Sequence, residues 1–224
     1  MSEPVSRSPI APAPPVRVEA GWEVSGGRSK AAFTITDCTP LAKVHLRAPW
    51  NGAMAKALGV PFGRADRDGA GPDGASPDGA RPEGGWLVVG SGPGEWLVLA
   101  PPGAAAAVTD WLATVAADAA GDEFVSMTDL THGRALVRVT GPDAADLLAR
   151  LCGADLEDDM APDGAALRSA VAGVATDIVR DDRAGVPSYL LHCERSSGQY
   201  LFGALVSAGE SLGIGVDGFR LPGI

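Results

Sequence analysis

Apolar and polar residues alternate over Ala42–Arg47 (AKVHLR), the period of a half-buried strand. Asn51–Leu58 follows as a short helix. Two apolar runs, Gly85–Val89 and Glu95–Leu99, flank the cluster Gly90-Ser91-Gly92-Pro93-Gly94 and read as a hairpin with a glycine-rich turn. Over Ala104–Ala119, Val108, Trp111, Leu112 and Val115 recur at i, i+3, i+4 and i+7, which predicts an amphipathic helix. Glu123–Leu130 is the next predicted strand.

After the turn Thr131-His132-Gly133, the run Ala135–Thr140 sets Leu136, Arg138 and Thr140 against Ala135, Val137 and Val139. Gly141-Pro142-Asp143 then opens a predicted helix, Ala144–Leu151, with Leu147, Leu148 and Leu151 along one stripe; a proline and an acid suit a helix start. Leu167–Val171, Ala175–Arg180 and Ser188–Glu194 are three further strands, and Gln199–Leu212 is the last helix. The order is duplicated: β-α-β-β-α-β over 42–130, then β-α-β-β-β-α over 134–212. Such units make antiparallel sheets with helices on one face. The fold class predicted is therefore α+β, two ferredoxin-like halves, with the domain spanning 30–213.

Three segments fall outside that pattern. Residues 1–17 (MSEPVSRSPIAPAPPVR) are Pro-rich and predict a disordered tail, with no basic start and apolar core of a secretory signal. Residues 214–224 read as a second tail. At 68–85, DGAGPDGASPDGARPEGG is a decaying five-residue repeat, half Gly and Pro and without a large apolar side chain, and predicts a flexible insertion. It lacks the twelve-residue spacing of a helix–loop–helix calcium site.

Composition narrows the function classes. The chain has 224 residues, 46% hydrophobic and 21% charged, enough to bury a core. Its 18 Lys and Arg against 28 Asp and Glu leave a net charge of −10, which repels phosphate backbones and anionic lipids and argues against nucleic acid or membrane partners. Cys38, Cys152 and Cys193 are dispersed, with no CxxC, and fit a reducing cytoplasm better than a disulfide framework or zinc site. His45, His132 and His192 include no HxxxH or HxH pair.

Candidate chemistry is sparse. Gly90–Gly94 opens a strand and precedes no Lys, so a turn outweighs a phosphate loop. Asp129 and His132 are close enough in sequence to pair as two-thirds of a nucleophilic triad, but no G-x-S-x-G elbow accompanies them. The plainer alternative has Asp129 accepting backbone N–H bonds in the turn and His132 capping the strand or facing a partner. Cys152 ends a helix and Cys193 lies in an apolar run, so both read as packed residues. Asp155, Glu157, Asp158, Asp159 and Asp163 crowd one loop: a solvated loop, with a metal or a basic partner as alternatives. No catalytic, cofactor-binding or metal-ligating residue is assigned.

Residues 128–156 (TDLTHGRALVRVTGPDAADLLARLCGADL) carry a resemblance to a known family. A D-x-[ST]-H-[GA] turn (Asp129 to Gly133), a strand, a G-x-x-A helix start (Gly141 to Ala144) and a Cys-containing x-L-D-L-like stretch (Cys152 to Leu156) follow in order. Upstream Gly94-Glu95-Trp96-Leu97-Val98-Leu99, then Val174–Arg180 and Cys193-Glu194-Arg195-Ser196-Ser197, complete a pattern that resembles the gamma subunit of heterotetrameric sarcosine oxidase over Leu41–Gly213. The resemblance implies a diminished form of the folate-binding glycine-cleavage T-protein fold. It implies a non-catalytic, cytoplasmic subunit of an oxidoreductase acting on a CH–NH donor. That enzyme demethylates sarcosine to glycine, hydrogen peroxide and 5,10-methylenetetrahydrofolate. The implied partners are the alpha, beta and delta subunits, with FAD, FMN, NAD and tetrahydrofolate held by partner subunits and none by this chain. The K-G-C-Y-x-G-Q motif of other folate-binding relatives is not matched, which weighs against the alternative of a free-standing tetrahydrofolate-binding aminomethyltransferase-like protein. Asp129, His132, Arg134 and Arg195 are the candidate turn or interface residues.

Overall fold

Alternating runs become strands and 3.6-residue stripes become helices, with ends displaced by up to a few residues. The computed structural model describes residues 4–67 and 85–224. In chain order these form β1 (Ser6–Arg7), β2 (Val16–Glu19), β3 (Trp22–Ser25), β4 (Thr34–Asp37), β5 (Ala42–Arg47), α1 (Ala53–Leu58), β6 (Ala65–Asp66), β7 (Leu87–Gly92), β8 (Glu95–Ala100) and α2 (Ala105–Ala119). Then come β9 (Ser126–Asp129), β10 (Arg134–Thr140), α3 (Ala144–Ala149), β11 (Ala166–Val171), β12 (Val174–Arg180), β13 (Ser188–Glu194), α4 (Gly198–Gly209) and β14 (Gly215–Asp217). The chain divides into two units, one of residues 41–131 and one of residues 4–40 with 132–223. But for Gly85, the DGAxP insertion expected at 68–85 lies outside the described residues.

In the 41–131 unit the sheet order is β6-β7-β8-β5-β9, antiparallel throughout. Helices follow the first long strand and the hairpin, which is the ferredoxin-like arrangement. Ala42, Val44 and Leu46 of β5 and Trp96 and Val98 of β8 pack with Met54 and Leu58 of α1 and Val108 and Leu112 of α2. The intervening Leu87, Val89, Leu97 and Leu99 are buried as well, which is why β7 and β8 read as continuous apolar runs. Helix α1 has no side-chain cap of its own at its N-terminus. Glu123, remote in sequence, accepts the Ala53 and Met54 N–H groups at 2.6 and 3.1 Å, and these bonds hold its carboxyl below the usual range. The glycine cluster is the end of β7 and its turn. A Cβ at Gly90 would lie 2.2 Å from the Pro61 carbonyl oxygen, so close backbone approach, not phosphate binding, accounts for it.

In the other unit the sheet order is β11-β12-β13-β10-β4-β14. Strand β10 pairs antiparallel with β13 from Arg134↔Glu194 to Thr140↔Ser188, and with β4 on its other edge. β14 runs parallel to β4. Ala135, Val137, Val139, Ile178, Tyr189, Leu191 and Cys193 form the core with Leu147 and Leu148 of α3 and Leu201 and Leu205 of α4. Gly141, at φ +140, ends β10 where a Cβ would come within 2.7 Å of Ala32 O and Phe33 Cα.

Two expectations are corrected by this unit. Residues 4–17 are not a disordered tail: β1 pairs parallel with β3, β2 pairs antiparallel with β3, and Ile10 is buried. The β2–β3 hairpin turns through Ala20 and Gly21, both at positive φ, and buries Trp22 and Val24, so pairing and burial offset the ordering entropy. Residues 214–223 are likewise not a tail: β14 adds to the sheet and Phe219 is buried. The unit therefore extends beyond the 30–213 expected of the domain.

Candidate functional site

The helix-free face of the β11–β12–β13–β10 sheet carries a polar row. Register places Arg168 opposite Asp177, Asp177 opposite His192, and His192 opposite Leu136. Asp177 accepts from Arg168 Nε at 2.5 Å through Oδ1 and meets His192 Nδ1 at 3.3 Å through Oδ2. Burial pushes the Asp177 carboxyl up, but the hydrogen bonds from His192 and Arg168 outweigh it and hold the group below the usual carboxylate range. A carboxylate at Nδ1 makes that nitrogen the donor and fixes the ring's orientation. Neighbouring Cys193 points to the opposite, helix-covered face, so this row brings no thiol to the imidazole. Two rungs along, Arg138 donates from Nη1 to Asp181 Oδ2 at 2.7 Å and to Ser188 Oγ at 2.9 Å, and Arg183 also pairs with Asp181.

The residues singled out in the sequence occupy the β9–β10 turn and the β13 end. Asp129, the last residue of β9, accepts the Thr131 N–H at 2.8 Å, an Asx-type turn. The His132 ring stacks on Trp22 at 4.8 Å between centroids, 10° from parallel. Arg195 donates to the His132 carbonyl at 3.3 Å and to the Arg7 carbonyl at 2.6 Å, tying the turn to β1. Arg134 pairs with its cross-strand partner Glu194 at 2.8 Å. The structure thus gathers His132 and Arg195 around the N-terminal sheet, while Arg134 stands on the neighbouring rung.

The acidic loop is organised by Arg180. Its guanidinium, on a side chain 7% exposed, donates to both oxygens of Asp182, to Asp158 and to the Ala161 carbonyl, and it lies over the Tyr189 ring. Asp163 accepts the Asp182 N–H, and Asp155 the Glu157 N–H. Among the described residues, no group of three or more His, Cys, Asp or Glu is placed to hold a metal ion. Burial pushes the thiols of Cys38 and Cys193 up to about 11.

The Asp177–His192–Arg168 row was missed by sequence reasoning. Alternation puts each residue on the right face of its strand, but only the register aligns them in one line. In the 41–131 unit, Trp50 and Phe62 stand about half exposed, edge to face at 6.4 Å, beside an apolar groove of about 290 Å³ floored by Val60, Pro61 and Trp96.

The family model described as the GCVT N-terminal domain matches residues 84–220. No curated protein matches. Among solved structures, a chain of the heterotetrameric sarcosine oxidase from Corynebacterium sp. U-96, in complex with pyrrole 2-carboxylate, superposes with a TM-score of 0.62 at 21% identity, over 82% of this chain and 86% of that one. The glycine cleavage system aminomethyltransferase T from Bartonella henselae superposes with a TM-score of 0.65 at 16% identity, over 93% of this chain and 56% of that one. At these identities the likeness is one of fold. No helix of the described residues is long and apolar enough to cross a membrane. With a model match over more than half its length, the chain belongs to the GCVT N-terminal domain family.

Proposed function

We propose that this chain is the gamma subunit of a heterotetrameric sarcosine oxidase, packing against larger subunits and holding neither flavin nor folate itself. The observation that carries the reading is one of length. The superposition covers 86% of the sarcosine oxidase chain but 56% of the aminomethyltransferase, so this chain matches the former nearly end to end. The reading gives it alpha, beta and delta partners in the cytoplasm, with FAD, FMN, NAD and tetrahydrofolate in the partners, where sarcosine is demethylated to glycine. Trp50 and Phe62, exposed beside an apolar groove, have the character of contact residues. The His192–Asp177 pair, buried and without a nucleophile in its row, suits a scaffold better than a catalyst. Co-expression with a large flavin-binding chain tests the reading: the expected result is co-purification, flavin absorbance and sarcosine oxidation in the complex, and neither property in the isolated chain. Sarcosine oxidation by the isolated chain would refute it.

A second reading, a free-standing tetrahydrofolate-binding aminomethyltransferase-like protein, is favoured by the 93% of this chain that follows the aminomethyltransferase. Calorimetry of the purified chain against tetrahydrofolate separates the two, since submillimolar binding is expected only of the second.

A further inference from the structure

We propose that the unit formed by residues 4–40 and 132–223 contains a binding site for a small carboxylate, built on the guanidinium of Arg138. The Arg138 side chain is 9% exposed. Its Nη1 is held by the Asp181 carboxylate and carbonyl and by the Ser188 hydroxyl, which pins one end of the planar group. Nε and Nη2 are buried and have no hydrogen-bond partner. Those two nitrogens share one edge of the guanidinium. Their N–H bonds run side by side, at the spacing of the two oxygens of one carboxylate. Buried donors are nearly always paired, and beside these two the chain offers only the neutral thiol of Cys38, a weak acceptor, so they point to an acceptor from outside the chain.

The surroundings fit such a ligand. Arg138 lines a cavity of about 260 Å³. Its floor is the β4–β10 pair, where Thr36 stands opposite Arg138 and Thr34 opposite Thr140. The three threonines bring hydroxyls that can donate to or accept from a substituent on the ligand. The far wall is the C-terminal segment Asp217–Arg220, held by the β14–β4 pairing and by the close approach of Gly218, where a Cβ would lie 2.4 Å from the Ser25 carbonyl oxygen. Arg220 brings a second guanidinium, and its Nε is also buried without a partner. The nearby acids have partners of their own: Asp181 is shared by Arg138 and Arg183, Asp217 Oδ1 accepts the N–H groups of Ser29 and Gly218, and Asp37 accepts the Thr39 N–H. Cys38, which also lines the cavity, adds no negative charge, because burial pushes its thiol up to about 11 even with Arg138 beside it. The volume falls below the roughly 300–1,000 Å³ of drug-sized sites, so the ligand is a small one. The inference concerns this chain's own residues and stands whether or not the subunit reading does.

The test is calorimetric titration of the full chain with acetate, glycine and inorganic phosphate as separate probes. The expected result is saturable binding of a carboxylate with a Kd of about 1 mM or tighter. Arg138→Lys keeps the charge but loses the fork, and is expected to weaken binding about tenfold or more. Arg220→Gln and Thr36→Val leave the Arg138–Asp181 pair intact and are each expected to weaken binding about threefold, so they decide the matter if Arg138→Lys does not fold. Absence of saturable carboxylate binding, binding of phosphate alone, or binding that neither Arg220→Gln nor Thr36→Val alters would overturn the proposal.

Discussion

Replacing Asp177 by Asn removes one charge from the polar row and leaves its shape intact. The side chains of Asp177 and His192 are 16% and 5% exposed, whereas Arg168 is 54% exposed. The Arg168 bond, bathed in water on the arginine side, contributes at most about 1 kcal/mol. The bond between a carboxylate and buried His192 is charge-assisted and contributes about 1.5–3 kcal/mol, part of which the amide oxygen of Asn recovers. The expected loss is about 2 kcal/mol, a Tm decrease of about 4–8 °C for a chain of this size. The loss is also pH-dependent. The folded carboxyl titrates below its unfolded value, so its contribution is fully present above about pH 4–5 and disappears as pH falls through the folded value. Urea unfolding followed by circular dichroism at about pH 7 and about pH 3 measures both effects. Wild type and Asp177→Asn should differ most at the higher pH, and the gap should narrow at the lower. An equal gap at both, or no gap near pH 7, refutes the assignment of this carboxylate as the charged partner of His192 and Arg168.

Arg180→Met leaves Asp182 without its cation and should cost about 3 kcal/mol in thermal or urea unfolding, whereas Asp158→Asn, on a side chain 86% exposed, should cost less than about 1 kcal/mol. Equal costs would show that Asp158 holds the loop. Gly141→Ala drives a Cβ into the backbone of Ala32 and Phe33 at a φ that L-residues avoid, and should destabilise by more than about 2 kcal/mol in the same assay. Cys38 and Cys193, buried and with thiols pushed up to about 11, should resist a thiol reagent near neutral pH, while all three cysteines react in urea; rapid native labelling of Cys38 or Cys193 contradicts their burial. Trp50→Ser together with Phe62→Ser should leave the fold's circular dichroism unchanged and reduce co-purification with a flavin-binding chain; unchanged assembly removes this groove from the interface.

Parts of the fold whose signal is local were legible from the residue order. Helix α2 declares itself through Val108, Trp111, Leu112 and Val115, and β10 through its alternation, because a single face decides which residues are apolar. The ferredoxin-like duplication was readable for the same reason: each half strings together periodic segments with Gly and Pro between them. The strands that went unread are short or polar. Thr34–Asp37 and Gly215–Asp217 carry no sustained period, and they are strands because β10 offers an open edge to one and β4 to the other. The Pro-rich N-terminal residues looked disordered by composition, yet Ile10 is buried and Ser6–Arg7 pairs with Trp22–Glu23, contacts that no window of neighbouring residues contains.

The candidate sites divide in the same way. The turn at Asp129–Arg134 could be picked out because Asp, Thr and Gly at those spacings make their hydrogen bonds locally, as the Asp129–Thr131 bond does. Alternation alone assigned Arg138 to the face opposite Val137 and Val139. What it could not do was place Asp177 beside His192, fifteen residues on, or bring Arg138 and Arg220 to one cavity. Residue order determines which face a side chain takes, because the pleat has a period of two. Which side chains then meet is decided by strand register and by the return of distant segments, so the His192–Asp177 row and the Arg138 cavity exist only once the sheet has closed.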